Sequence, residues 1–394
     1  MMKQSAFLSK PDTITALLGG ILFLILSPQL AQAERALRTN GFITATFSQV
    51  DSEVPFMGGL NDEINFSQGS LIGLQTTFQP SEDPIEFVVQ LLALGKEQWE
   101  VDAEWAYVAY RPTDAWELKL GRYRIPFFHV SEFLHVGIAY PWVRPPEEIH
   151  FVPFTALNGA SVKRSGHFGD LEMAVQMYSG ELKDLNTQIA GLTLTTDRFE
   201  SHGIVLSAET DSTNVRASFH KIQKIGITIN SLAAANPNLD FASLLAFASS
   251  QGLNPGDFED VDAITFSVLH RRDNFEFRGE WAEEDFNENA PLPDAYAYYV
   301  MLGYYMGNFM PHLTYSAYDT KEKGLANLGQ ESIIAGLRVN VNPAVAVKVE
   351  VGQMRLDDAV GTVGFYDTLP SSITGTAILD EEVNIFNASI NMVF

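Results

Sequence analysis

Cysteine is absent from the 394 residues. No disulfide framework and no thiolate metal site is therefore available, and in an exported chain another device must hold the fold together. Long apolar runs are also missing. Although 46% of the chain is hydrophobic, no stretch after the N-terminus reaches the roughly 18 consecutive apolar residues of a membrane-crossing helix. Basic side chains are scarce, 25 Lys and Arg against 49 Asp and Glu, a net charge of −24. That balance repels nucleic acid and anionic surfaces. The eight histidines form no H-E-x-x-H, and there is neither a G-x-S-x-G elbow nor a Gly-rich phosphate loop. The usual zinc, serine-hydrolase and nucleotide-binding signatures are thus missing, and no cofactor is implied.

Met1 to Ala33 reads as a secretory signal peptide. Lys3 and Lys10 give the positive start, Ala16 to Leu26 is an apolar run too short for an anchor, Pro28 ends it, and Ala31-Gln32-Ala33 is a small-residue cleavage site. Removing Lys3, Lys10 and Asp12 with this segment leaves 23 basic and 48 acidic side chains, a net charge of −25. The acids are scattered among aromatic and β-branched residues, unlike those of a disordered tail.

From Gly41 onward, segments of alternating polarity recur. Val345, Val347, Val349 and Val351 alternate with Ala346, Lys348, Glu350 and Gly352. Phe275, Phe277 and Trp281 alternate with Glu276, Arg278 and Glu280, and Leu171, Met173, Val175 and Met177 with Glu172, Ala174 and Gln176. Period two puts the apolar and polar members on opposite faces of a strand. A soluble sandwich alternates in the same way, so the connections have to decide. Short ones rich in turn formers fall at 79–84, 111–115, 165–169, 210–214, 271–274, 306–308 and 340–343. Between them stand connections, most of them longer, at about 51–68, 95–100, 127–156, 181–200, 226–261, 284–295, 318–331 and 356–381. Strands in even number, tight turns at one rim and long loops at the other predict an all-β, 16-stranded antiparallel transmembrane barrel over residues 34–394, with short periplasmic turns and long extracellular loops. In lipid only closure leaves no backbone group unpaired. Tyrosines near strand ends, Tyr107, Tyr110, Tyr296, Tyr298, Tyr299, Tyr304 and Tyr305, suit interfacial girdles.

The last segment carries Phe386, Ala388, Ile390, Met392 and Phe394 on one face and Asn387, Ser389 and Asn391 on the other. A terminal Phe on such a strand resembles the signal that outer-membrane proteins present to the barrel assembly machinery, which the resemblance makes an expected partner.

A second resemblance lies in Leu118-Lys119-Leu120-Gly121-Arg122-Tyr123-Arg124-Ile125-Pro126-Phe127, followed by Ser131-Glu132 and by Tyr140-Pro141-Trp142-Val143-Arg144-Pro145-Pro146-Glu147. A strand ending in Gly-Arg-x-Arg-x-Pro and running into the third long connection is similar to the proteobacterial outer-membrane porins of the broad group that includes the phosphate-selective porins. The phrase covers about 117–150. The resemblance implies an outer-membrane channel for passive diffusion of small hydrophilic solutes, a homotrimer, and contact with outer-membrane lipid and lipopolysaccharide.

The third connection, about 127–156, is the leading functional candidate. Some thirty residues without regular structure are usually functional, and Pro126, Pro141, Pro145, Pro146 and Pro153 stiffen it. A stiff loop folded into the lumen would form a constriction where charges of both signs select solutes. The residues expected there are Lys119, Arg122 and Arg124 from the strand, and His129, Glu132, Arg144, Glu147 and Glu148 from the loop. Arg124 and Arg144 would give a lean towards anions. Strict alternation cannot turn Lys119 and Arg122 to one face without a bulge at Gly121. Glu86, Glu104, Glu117, Arg216, His220, Glu276, Arg278, Glu280, Arg338 and Lys348 on the polar faces read as solvated lumen wall. Asp240 followed by Phe241, Leu244, Leu245, Phe247, Ala248 and Gly252 fits a short capped helix. The acids between Trp281 and Asn289 lack the spacing of an EF-hand and read as a solvated rim.

Two other functions stay open: a barrel enzyme of phospholipase or protease type, needing a Ser–His or Asp–His pair at the outer rim, and a plugged structural or adhesive barrel. For the leader segment the expected outcome is cleavage after Ala33, so that N-terminal sequencing of the exported protein starts at Glu34. A start displaced by more than a few residues overturns that reading.

Overall fold

The computed structural model describes residues 37–80, 84–150, 155–189, 192–232, 259–286, 294–321, 329–357 and 381–394. The leader segment and the expected helix at Asp240–Gly252 lie outside the described residues.

Sixteen strands close into one antiparallel barrel, each paired with its neighbours in sequence and the first with the last. They are β1 (Leu37–Val50), β2 (Leu71–Phe78), β3 (Ile85–Leu94), β4 (Val101–Thr113), β5 (Trp116–Arg124), β6 (Ala156–Phe168), β7 (Leu171–Ile189), β8 (Leu192–Glu209), β9 (Thr213–Leu232), β10 (Glu259–Arg272), β11 (Phe275–Phe286), β12 (Ala295–Tyr304), β13 (Phe309–Thr320), β14 (Gln330–Asn342), β15 (Val345–Leu356) and β16 (Glu382–Val393). At the seam β1 pairs with β16 from Phe42↔Val393 to Val50↔Ile385. The last residue finishes the closure: Phe394 N donates to Gly41 O at 2.9 Å and Gly41 N to Phe394 O at 2.8 Å.

The alternation read from the sequence sets which face looks out. On β15, Val349 and Val351 are exposed while Ala346, Lys348 and Glu350 are buried; on β16, Phe386, Ile390 and Met392 are exposed while Asn387, Ser389 and Asn391 are buried. The same inversion holds for Phe275 against Glu276, Arg278 and Glu280 on β11. Leu120 stands 67% exposed and Leu313 54%. A continuous outer belt of large apolar side chains is intolerable in water and natural in lipid. On the long-connection side the belt gives way to outward ion pairs, among them Arg355–Glu382 at 2.6 Å, Arg198–Glu200 at 2.5 Å and Lys221–Asp262 at 3.5 Å.

Two sequence readings need correction. Residues 181–200 are not a long loop: β7 and β8 run through them, because the period of two continues, with Leu182 and Phe199 buried inside and Lys183 and Arg198 exposed outside. Likewise β9 extends to Leu232, so residues 226–232, expected in a connection, are strand. The acids Glu283 and Asp285 sit on β11, where Lys321 Nζ reaches both. The wall is therefore uneven in height, 8 residues in β2 and 9 in β5 against 19, 18 and 20 in β7, β8 and β9.

The outward set yields a test. Val349→Arg should lower the unfolding free energy in lipid vesicles by about 2–4 kcal/mol, and Val101→Arg at the long-connection edge by only about 0–1 kcal/mol. Denaturant titration measures both, and equal costs would refute the placement of the belt.

Candidate functional site

In the connection from β5 to β6, the described residues 125–150 turn inward and cross the lumen. An inserted segment has no adjacent strand, so the amides and carbonyls that its own turns leave unpaired need side-chain partners. The inward charges of the wall supply them. Arg216 on β9 donates to Phe128 O at 2.5 Å and also to Pro126 O, and Thr265 on β10 donates to Phe127 O at 3.1 Å. His129 N donates to Glu280 Oε1 on β11 at 2.8 Å. Lys348 on β15 donates to Gly137 O and Trp142 O, both at 2.5 Å. Arg338 on β14 donates to Tyr140 O at 3.0 Å, and Val143 N donates to Glu350 Oε1 at 2.8 Å. Cations hold loop carbonyls and carboxylates hold loop amides. Arg216, Glu280, Arg338 and Lys348, read as solvated wall from sequence, are loop anchors, joined by Thr265 and Glu350; Glu280, Lys348 and Glu350 are all at most 4% exposed.

Side chains of the loop extend the attachment. Trp142 Nε1 donates to Thr314 Oγ1 at 2.8 Å, and its ring carries the Arg278 guanidinium 5.4 Å from the centroid. The helical turn Glu147–His150 packs on β11, β12 and β13. Phe127, Phe128, Val130, Tyr140, Trp142 and Ile149 join Tyr178, Phe199, Ile222, Tyr299 and Met301 of the wall in one apolar cluster inside the barrel. On the opposite wall Val136 packs against Phe42, Leu71 and Leu92. Gly137 is pressed to the wall so closely that a Cβ would strike Asn391 Oδ1 and Thr44 Oγ1, so only glycine fits there. Burial lowers His129 to about 4, against the pull of Glu280, and keeps it neutral. Burial also raises the Tyr140 hydroxyl, so it stays protonated and donates to Leu134 O at 3.0 Å.

The eight residues singled out by sequence separate into groups. Lys119 faces the lumen from β5, its ammonium 3.0 Å from Glu117 and 5.5 Å from the centroid of the Tyr107 ring. Glu132, exposed on the loop, lies in its field. Arg124 is 7% exposed and pairs with Glu104 at 3.2 Å. Arg122 stands apart from both. Its partners in register are Ala106 and Asn158, exposed on the outer surface, so it belongs to the outward set. Gly121 has φ +130° and leaves no room for a Cβ, which would strike Ala106 O and Tyr107, but no extra residue turns Arg122 inward. Arg144 lies 2.8 Å from Glu147, and its Cδ lies beside Gly69 of the first long connection. Glu148 is buried and accepts from Ser316 at 2.9 Å and Gln330 at 3.0 Å. His129 is the loop's link to Glu280.

Sequence reasoning did not connect the charges of the short-turn half of the lumen. Arg38, Glu86, Arg111, Glu117 and Lys119 form an unbroken ladder across β1, β3, β4 and β5, with Arg38–Glu86 at 2.9 Å and Arg111–Glu117 at 2.6 Å. On the other side Glu276 is gripped by Arg271 at 2.7 Å and Arg278 at 2.5 Å, and accepts from Tyr305 at 2.9 Å. The signal was present: all sit at inward positions of the alternation. A Ser–His pair also occurs, His220 Nε2 to Ser218 Oγ at 2.7 Å with Tyr178 on Nδ1 at 2.7 Å. His220 is fully buried under the Phe127 ring, 4.5 Å away, so no substrate bond reaches it. Among the described residues, no group of three metal-ligating side chains converges.

No protein-family model matches the chain, and no curated protein matches it in sequence. Solved structures match it in fold. In-vitro folded OmpT, an outer membrane protein of Vibrio cholerae, superposes with a TM-score of 0.57 at 10% identity, over 91% of this chain and 97% of that one. OmpF of Salmonella typhi, in complex with daunomycin, gives 0.56 at 14% identity, over 91% and 97%. A mutant of the porin of Rh. blastica gives 0.51 at 10% identity, over 91% and 100%. The chain is thus similar in fold to closed outer-membrane barrels that share little of its sequence.

Proposed function

We propose that this protein is an outer-membrane porin through which small hydrophilic solutes diffuse passively. The observation that carries the reading is the inversion of polarity: an apolar belt outside, charges inside, and a proline-stiffened loop laid across the lumen. In this reading the short turns face the periplasm and the long connections face the medium. Lipid and lipopolysaccharide cover the belt, the barrel assembly machinery engages the strand ending at Phe394, and three copies associate.

A lean towards anions is part of the proposal. The ladder holds three cations against two carboxylates, and the Glu276 triad holds two cations against one. In this reading the ladder and Arg271 face the short-turn half of the lumen, with Glu276 and Arg278 buried behind them, and they outweigh the acidity of the whole chain, because the nearest charges dominate in a narrow passage. We assign the lean to Lys119 and Arg111 in preference to Arg124 and Arg144, since Arg124 is buried against Glu104 and Arg144 is paired with Glu147. A second reading rests on the apolar cluster that ties loop to wall: a barrel closed by its own loop, with a structural role.

Planar-bilayer recording separates them. The expected result is steady conductance and a reversal potential favouring anions in a salt gradient. Lys119→Ala should lower the anion-to-cation permeability ratio by about two- to fivefold, the scale of one charge a few Å from the ion path in water. Lys348→Met, which strands two loop carbonyls at a cost of about 1–3 kcal/mol each, should give a noisier and larger conductance. A silent parent that conducts only as Lys348→Met would support the closed barrel. Cation preference in the parent removes the anion lean, and lipid or peptide cleavage by the purified protein would restore the enzyme reading.

A further inference from the structure

Between two anchors of the loop, His129 on Glu280 and Gly137 on Lys348, the segment 131–136 carries the exposed Glu132 towards Lys119. Its polar contact with the β4–β5 wall is His135, beside the packing of Phe133 and Leu134 on the apolar cluster that includes Tyr123. Arg124 Nη2 lies 2.8 Å from His135 Nδ1. A guanidinium has only donors, so Arg124 donates and Nδ1 must carry no proton. The far side of Arg124 is occupied by Glu104 at 3.2 Å, and the same Glu104 oxygen accepts from Thr155 Oγ1 at 2.6 Å. The charges acting on the imidazole are Arg124 from β5 and Lys96 from the turn Gly95–Glu97, both cationic. Glu104 from β4, Glu132 of the segment itself and the Tyr140 hydroxyl act on Arg124.

We propose that His135 is an acid-sensitive latch: neutral, it holds segment 131–136 against the β4–β5 wall, and protonated, it releases that segment and widens the passage between Glu132 and Lys119. A proton on Nδ1 replaces the acceptor with a donor aimed at a guanidinium and sets two cations against each other in a partly buried site. The one carboxylate paired with Arg124 is already shared with Thr155. The hydrophobic hold of Val136 on Phe42, Leu71 and Leu92 and the Lys348 bond to Gly137 O give the released segment a fixed end.

The sign follows from the two states. In the docked state burial, then Arg124 and Lys96, push His135 well below its ordinary 6.5. In the released state it returns to about 6.5. Docking is therefore at full strength above about pH 6.5, and the docked-to-released ratio falls about tenfold per pH unit as the pH drops below that value.

The inference rests on the channel reading for its effect on conduction, and on the loop geometry alone for its effect on mobility. Two readouts keep these apart: amide hydrogen exchange of residues 131–136, corrected for intrinsic rates, and single-channel conductance, both between about pH 7 and about pH 4.5. His135→Gln keeps an acceptor for Arg124 and takes up no proton; His135→Asn serves if that variant fails to fold, and His135→Lys fixes a positive charge. In the parent, exchange of 131–136 should rise tenfold or more on acidification, with a rise in conductance. In His135→Gln both should stay flat, and His135→Lys should be released at neutral pH. A parent whose segment 131–136 exchanges equally at both pH values overturns the latch, as does a His135→Gln variant that responds like the parent. Acid-dependent exchange in a barrel that never conducts leaves the latch standing and sinks the channel.

Discussion

A peptide laid across the inside of a barrel has lost the one partner a barrel reliably offers, the next strand. Every amide and carbonyl of residues 126–143 must be bonded by something else or be left unpaired at a cost of about 1–3 kcal/mol each. Wall side chains solve this in a regular way. Cations on β9, β14 and β15 reach carbonyls at Pro126, Phe128, Gly137, Tyr140 and Trp142, and carboxylates on β11 and β15 reach the amides of His129 and Val143. Each anchor charge is itself answered by a backbone dipole, which is why Lys348 and Glu350 can be almost wholly buried. The loop and these wall charges thus satisfy each other.

This dependence divides the interior by role. Charges in the half of the lumen crossed by the loop are bonded to its backbone and enclosed by it. Those in the short-turn half, Arg38 to Lys119 and the Glu276 triad, pair with one another; the Arg38 side chain is 62% exposed and that of Arg271 51%, while Glu276 and Arg278 are buried. A count of inward charges would treat the two sets alike. Their environments do not: the first set is enclosed by the loop, while Arg38, Arg111 and Arg271 of the second stay exposed.

Much of the fold was legible because strand alternation in lipid is inverted and strict. The apolar members of β7, β11, β15 and β16 were named from period two alone, and they are the outward members of the barrel. The turn at Asp273–Asn274 and the one at Pro343–Ala344 were visible in composition. What period two cannot say is where water ends. Residues 181–200 look like loop because their charged face is exposed above the lipid, yet Leu182 and Phe199 keep the strand rhythm inside. The anchors were illegible for a related reason: an inward Lys348 or Glu350 has the same sequence signature whether it meets water or a loop carbonyl. Arg122 shows the reverse case. Its proximity to Lys119 suggested a shared site, but one step of register separates the inside of the barrel from the outside.

The loop is therefore best understood as the barrel's core, one that happens to be attached at two points of its rim. A soluble domain fills its centre with side chains converging from all elements. Here the wall is mostly Ser, Thr, Asn and charged residues on the β13–β16 and β1 side, and Tyr178, Phe199, Ile222, Tyr299 and Met301 on the other. The loop matches both, turning Gly137 and Glu148 to the polar side and Phe127, Phe128 and Ile149 to the apolar one. Two-sided matching fixes its rotation as well as its depth. Within a segment fixed in this way, the stretch 131–136 is tied to the wall by the packing of Phe133, Leu134 and Val136 and by one polar contact at His135, a side chain that can change charge, and it carries the exposed Glu132.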